Sequence, residues 1–66
     1  MFIELTIYHS AEFIRAERRI LNCDRISQIR EYKDYVIIDM DYNDHYIARM
    51  NIDTFRGILP EMRIIK

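Results

Sequence analysis

The stretch from Asp34 to Met50, D-Y-V-I-I-D-M-D-Y-N-D-H-Y-I-A-R-M, limits what this chain can fold into more than any other. Tyr35 to Tyr42 is rich in β-branched and aromatic residues, and Val36, Ile38, Met40 and Tyr42 fall on one face of a period-two pattern. Asn43-Asp44 then separates this run from a second, His45 to Met50, and Asn and Asp tolerate the positive φ of a tight turn. The pattern predicts a β-hairpin with a two-residue turn, on which Asp39 and Asp41 form a solvated polar face beside Tyr46 and Ala48.

The same period recurs at the start, where Ile3, Leu5 and Ile7 alternate with Phe2, Glu4, Thr6 and Tyr8 and predict a strand. Residues 11–21 fit two periods. As a helix, Ser10 caps the segment, Glu12 sits near the positive end of the dipole, and Phe13, Ala16 and Ile20 share a side. As a strand, Ile14, Ala16, Ile20 and the stem of Arg18 share a face, although Ala, Glu, Arg and Leu favour the helix. Asn22 and Asp24 mark a turn, and Ile26 and Ile29 fail to alternate, which predicts a bulge at Ser27-Gln28. After Met50, Asn51 or Asp53 can cap a short helix with Phe55, Ile58 and Leu59 on one face, weakened by Gly57 and ended by Pro60. Met62 to Ile65 reads as a last strand or as a tail laid over a sheet edge.

Sixty-six residues allow one domain with one modest core, and a chain this small buries only about 60% of its unfolded surface. Half of the residues are hydrophobic, which excludes a disordered chain. Ten basic and eleven acidic side chains leave a net charge of -1, so no global field draws the chain to nucleic acid or membrane. Cys23 is the single cysteine, which excludes an internal disulfide, and no charged-then-apolar leader follows Met1. A cytoplasmic protein is the expectation. Apolar runs such as Val36-Ile37-Ile38 fall far short of the roughly 20 residues of a membrane span, so no crossing is expected.

The residues that could carry chemistry are sparse. Asp39, Asp41 and Asp44 lack the turn glycine and distal Glu of a calcium loop. His9, His45 and Cys23 have no paired-ligand spacing, and the single glycine excludes a Gly-rich phosphate loop. No catalytic residue, metal or cofactor is assigned, and a non-enzymatic protein is expected. Charge is uneven locally: Arg15, Arg18, Arg19, Arg25, Arg30 and Lys33 precede an acidic run. Interleaved with Phe13 and Tyr32, they could form the nucleic-acid face of a small β-barrel, or simply a solvated side neutralised by Glu12, Glu17 and Glu31. Five tyrosines exceed what a small core can bury, and surface aromatics are common interface anchors. Tyr8, Tyr32, Tyr35 and Tyr46 are therefore the candidate partner-binding residues.

Ile3-Glu4-Leu5-Thr6, Ile20 through Ile29, Asp34 through Ile38, Asn43-Asp44, Tyr46-Ile47 and the apolar segment Phe55 to Leu59 together resemble the FlbD-like small flagellar-operon proteins. The chain departs from them in a longer segment after the opening strand and in Pro60. The resemblance implies a small accessory protein without catalytic residues, and a return strand over residues 13–21.

The fold expected is mainly β: a small bent antiparallel sheet or partly open barrel of about five strands, with a short helix over Thr54 to Leu59. Its expected core is Ile3, Leu5, Ile7, Ile20, Ile26, Ile29, Val36, Ile38, Met40, Ile47, Phe55, Ile58 and Leu59. The expected function is a protein-binding or adaptor module, with nucleic-acid binding through the Arg15 to Lys33 face as the alternative. Phe2, Ile7, Tyr8, Tyr35, Ile37 and Met62 to Ile65 lie on second faces or near strand ends, which predicts a homodimer in contact through the outer tyrosines.

Overall fold

A computed structural model describes residues 1–58. Five strands and one helix follow in order: β1 (Phe2–Tyr8), β2 (Ala16–Asn22), a 3₁₀ turn (Cys23–Arg25), β3 (Ile26–Glu31), β4 (Val36–Met40), β5 (His45–Ala48) and α1 (Ile52–Ile58). They form one unclosed sheet in the order β2-β1-β5-β4-β3, every neighbouring pair antiparallel. β2 and β3 therefore run in the same sense at opposite edges, although only the 3₁₀ turn separates them. Four residue steps from Asn22 to Ile26 span at most about 14 Å, whereas the edges of a flat five-stranded sheet lie about 19 Å apart. The sheet must be strongly bent. Asn22 makes the corner, its side chain accepting a hydrogen bond from the Asp24 backbone N–H at 3.0 Å.

Bending gives a concave face, which holds the core of Ile3, Leu5, Ile7, Leu21, Val36, Ile38, Met40, Tyr46, Ala48 and Phe55. α1 supplies Phe55 as its fully buried residue, with Ile58 half-buried beside it. The helix begins two residues earlier than the Thr54 expected, because the Asn51 side chain accepts from the Thr54 N–H at 2.8 Å. Leu59 and Met62 to Ile65 lie outside the described residues. The bulge expected at Ser27-Gln28 is present as a register shift between Ile26 and Gln28.

Of the two readings left open for residues 11–21, the return strand is the one present, over Ala16–Asn22. Its pairing Ile3↔Leu21 turns odd-numbered residues inward, so Leu21 is buried while Ile20, expected in the core, is 63% exposed on the convex face. The hairpin turn is longer than two residues. The Met40 N–H donates to the Asp44 carbonyl, the Asn43 N–H to the Met40 carbonyl, and Asn43 takes the positive φ of 72° in a loop of Asp41, Tyr42 and Asn43.

That loop pairs Asp39, not Tyr42, with His45. Tyr46 and Ala48 consequently lie opposite Ile38 and Val36 in the core, while Ile47 faces Ile37 on the convex side, buried but apart from the main cluster. Tyr42 is exposed in the turn and Asp39 is buried, the reverse of what two-residue pairing implies. Ile7, expected both in the core and among the residues near strand ends that a dimer would cover, is fully buried in the core. Ile26 and Ile29 pack against the core while staying half-buried.

Candidate partner-binding face

The register also defines the convex face. Cross-strand partners share a face, so Tyr8, Ile47, Ile37 and Arg30 form one row across β1, β5, β4 and β3. Three of the four candidate tyrosines meet beside it, through a residue from the β1–β2 loop. The Phe13 ring packs edge-on against Tyr8, with centroids 5.1 Å apart, and against Tyr35 at 5.7 Å. Tyr35 in turn stacks on Tyr32 at 4.8 Å, where the Tyr32 N–H closes the β3–β4 turn onto the Tyr35 carbonyl. The Arg49 guanidinium also lies over Phe13, 4.6 Å from its centroid.

Phe13 reaches this position at a cost. Its φ is +55°, a region that a bulky side chain rarely occupies, and its N–H bonds back to the Ser10 carbonyl. Contact with two rings and a guanidinium holds it there. The next residue, Ile14, is 73% exposed, and Phe2 and Ile20 lie 67% and 63% exposed on the β1–β2 part of the same face.

Tyr46 does not belong to this surface. It is buried on the concave side, where Arg19 donates to its hydroxyl at 3.0 Å and the hydroxyl donates to Asp44 at 3.2 Å. Arg19 also binds Glu17, which lies 2.8 Å from His9 Nε2. The bonds from His9 and Arg19 hold the Glu17 carboxyl below its ordinary value, and burial pushes the Tyr46 phenol up.

The six basic residues scatter. Arg18 stands on the convex face beside Thr6 and Glu4, Arg19 on the concave one, and Arg25 binds Asp41 near the corner. Arg30 forks onto Asp39. Four of the six are thus paired with carboxylates. Arg15 and Lys33, together with Arg49, have no carboxylate partner among the described residues.

Asp39 is the one buried charged residue among those described, only 4% exposed although it lies on the convex side. It accepts from Arg30 Nε and Nη2 at 2.8 and 2.9 Å, from Gln28 Nε2 at 2.8 Å and from His45 Nδ1 at 2.7 Å. Burial pushes its carboxyl up, but the bonds from Arg30, Gln28 and His45 and the Arg30 charge prevail and hold it below the ordinary range. No described buried side-chain polar atom lacks a partner. The Asp39–His45 contact resembles half of a catalytic relay, yet no nucleophile is hydrogen-bonded to His45 among the described residues. Cys23 is half-buried at the start of the 3₁₀ turn, where its N–H donates to the Met1 carbonyl, and burial raises its thiol pKa.

Sequence reasoning missed Arg49 and the Asp39 hub. Asp39 carried a signal, a carboxylate in the middle of an apolar strand, but its donors depend on the register. No helix among the described residues is long and apolar enough to cross a membrane. No family model, curated protein or solved structure matches the chain.

Proposed function

We propose that the chain is a non-enzymatic binding module whose partner surface is the convex face of its sheet. One observation carries this reading: Phe2, Ile20 and Tyr32, three of the six large hydrophobic residues left exposed among those described, lie on that face, and a fourth, Ile14, follows Phe13 in the loop that meets the face at Tyr8 and Tyr35. Apolar surface gathered on one side of a small domain marks an interaction site, and aromatic rings anchor such contacts. The polar clusters support a structural role for the charged residues, because the acceptors of Asp39 and Glu17 are already engaged by neighbours. The likeness to FlbD-like accessory proteins supports the same reading, and a single half-buried thiol fits a cytoplasmic setting.

The test is capture of partners by the immobilised chain from a nuclease-treated lysate, set against a Tyr32→Ala, Ile14→Asp double variant. Both positions are exposed, so the variant should melt like the parent while losing the partners. Capture that survives the substitutions refutes the reading. Loss of partners on nuclease treatment, with affinity for single-stranded RNA falling steeply as salt rises, would instead favour binding through Arg15, Lys33 and Arg49.

A further inference from the structure

We infer that the β1–β2 part of the convex face is a self-complementary patch that binds a second copy of this chain through a two-fold axis beside Ile20. The inference rests on the convex face being the partner surface, and names its occupant.

The register sets out the patch. Glu4 lies directly across from Ile20, Thr6 across from Arg18, and Phe2 across from Asn22, all with side chains on the convex side. At the centre is Ile20, an aliphatic side chain 63% exposed on an edge strand. Beside it stand one anion and one cation, Glu4 and Arg18, diagonal neighbours whose own contact is a loose 3.6 Å with both side chains more than half exposed.

An isologous interface needs a surface that matches itself on two-fold rotation. Glu4 lies beside Ile20 across the strands and Arg18 lies beside it along β2, so a two-fold axis between the faces that bisects these two directions sets Ile20 against Ile20 and carries each Glu4 over the other copy's Arg18. Two opposite-charge contacts then form around one apolar centre. An acidic partner would match Arg18 and be repelled by Glu4, and a basic one the reverse. A second copy satisfies both.

The edges direct the copies to meet by faces. β2 bears Glu17, Arg18 and Arg19, and β3 bears Arg30 and Glu31, and charge along an edge strand discourages the addition of another strand. Tyr32 and Phe13 lie farther along the convex face and outside the patch, so this contact differs from one made through the outer tyrosines.

Sedimentation velocity on the full chain tests the inference by charge exchange. The wild type should sediment as a dimer at micromolar concentration. Ile20→Asp should sediment as a monomer. Glu4→Arg alone sets two guanidinium groups against one another at each contact, and Arg18→Glu alone sets two carboxylates against one another. Each should weaken the dimer about tenfold or more. An equimolar mixture of these two variants places opposite charges at both contacts and should recover the dimer. A purely intrachain role for Glu4 and Arg18 predicts no such recovery. A wild type that stays monomeric, single variants that dimerise like the parent, or a mixture that stays monomeric would each overturn the inference. Partner capture lost on Tyr32→Ala, Ile14→Asp substitution would still uphold the convex face as a binding surface in that case, whereas capture unaffected by those substitutions refutes the wider reading.

Discussion

Removing Arg30 should cost more stability than removing Asp39, the carboxylate it binds. Asp39 is buried and the Arg30 side chain is 42% exposed, so the two truncations leave different remnants. Arg30→Met keeps most of the stem and deletes two charge-assisted bonds to a carboxylate that must stay in place, supported only by Gln28 and His45. Such bonds contribute about 1.5–3 kcal/mol each, and breaking a buried pair costs about 3–5 kcal/mol. Water partly screens the guanidinium, so the cost of Arg30→Met falls below that of breaking a fully buried pair while staying above that of Asp39→Ala. Asp39→Ala removes the buried charge and leaves Arg30, Gln28 and His45 free to hydrate, for about 1–2 kcal/mol. The double variant should be little worse than Asp39→Ala alone, because no buried charge remains for Arg30 to compensate.

Acid adds a second readout with a defined sign. The Asp39 carboxyl is held below its ordinary value of 3.8, so its contribution is present above that value and is lost as pH falls through the lower folded-state value. Burial, which acts in the opposite direction, should prevail once Arg30 is gone and push the carboxyl up in the folded variant. Protonation then relieves the variant while the wild type loses its Asp39 contribution, so the stability gap between Arg30→Met and the wild type should narrow as pH falls. Urea denaturation followed by circular dichroism at neutral pH and at several acidic values measures both effects. If Asp39→Ala proved more damaging than Arg30→Met, or if the gap between Arg30→Met and the wild type stayed constant from neutral to acidic pH, the account of Asp39 as a buried charge that Arg30 compensates would be wrong.

Ile38 is fully buried at the centre of the concave face, so Ile38→Ala should cost about 2–5 kcal/mol, and an unchanged urea midpoint would contradict that placement. Asn43→Gly should be neutral or stabilising, and Asn43→Val should cost about 1–2 kcal/mol through the positive φ. Equal melting temperatures for those two variants would contradict the positive φ at Asn43.

The legible part of the fold was the part that alternates. Ile3, Leu5 and Ile7, and likewise Val36, Ile38 and Met40, announced their strands and their inward faces because period-two burial leaves its mark on the sequence directly. What stayed hidden was register. Asn43-Asp44 has the chemistry of a two-residue turn, and nothing local says that Asp41 and Tyr42 belong to the loop as well; only pairing with the rest of the sheet decides it. An odd shift in register exchanges the faces of a strand, and that single choice moved Tyr46 into the core, sent Ile47 to the convex side and set His45 beside Asp39, while the bulge in β3 aligned Gln28 and Arg30 with it. β2 shows the same limit, since Ile20 and Leu21 are adjacent aliphatics and only the pairing with Ile3 selects Leu21 for burial.

The candidate surface follows from the same geometry. A bent sheet this small has one concave side, and α1 with Phe55 serves to fill it, so no second described helix covers the convex side. The chain uses its β1–β2 loop there instead, holding Phe13 at a strained φ so that one ring can bridge Tyr8 and Tyr35. That cover reaches only part of the face. Ile20 and Phe2, across β1 from the loop's aromatic contacts and toward the corner, remain in water, where apolar side chains of this size gain most from a partner. The position of the uncovered patch is therefore set by how far the Phe13 loop extends, which is why it could not be found from the pattern of residues 11–21 before their pairing was known.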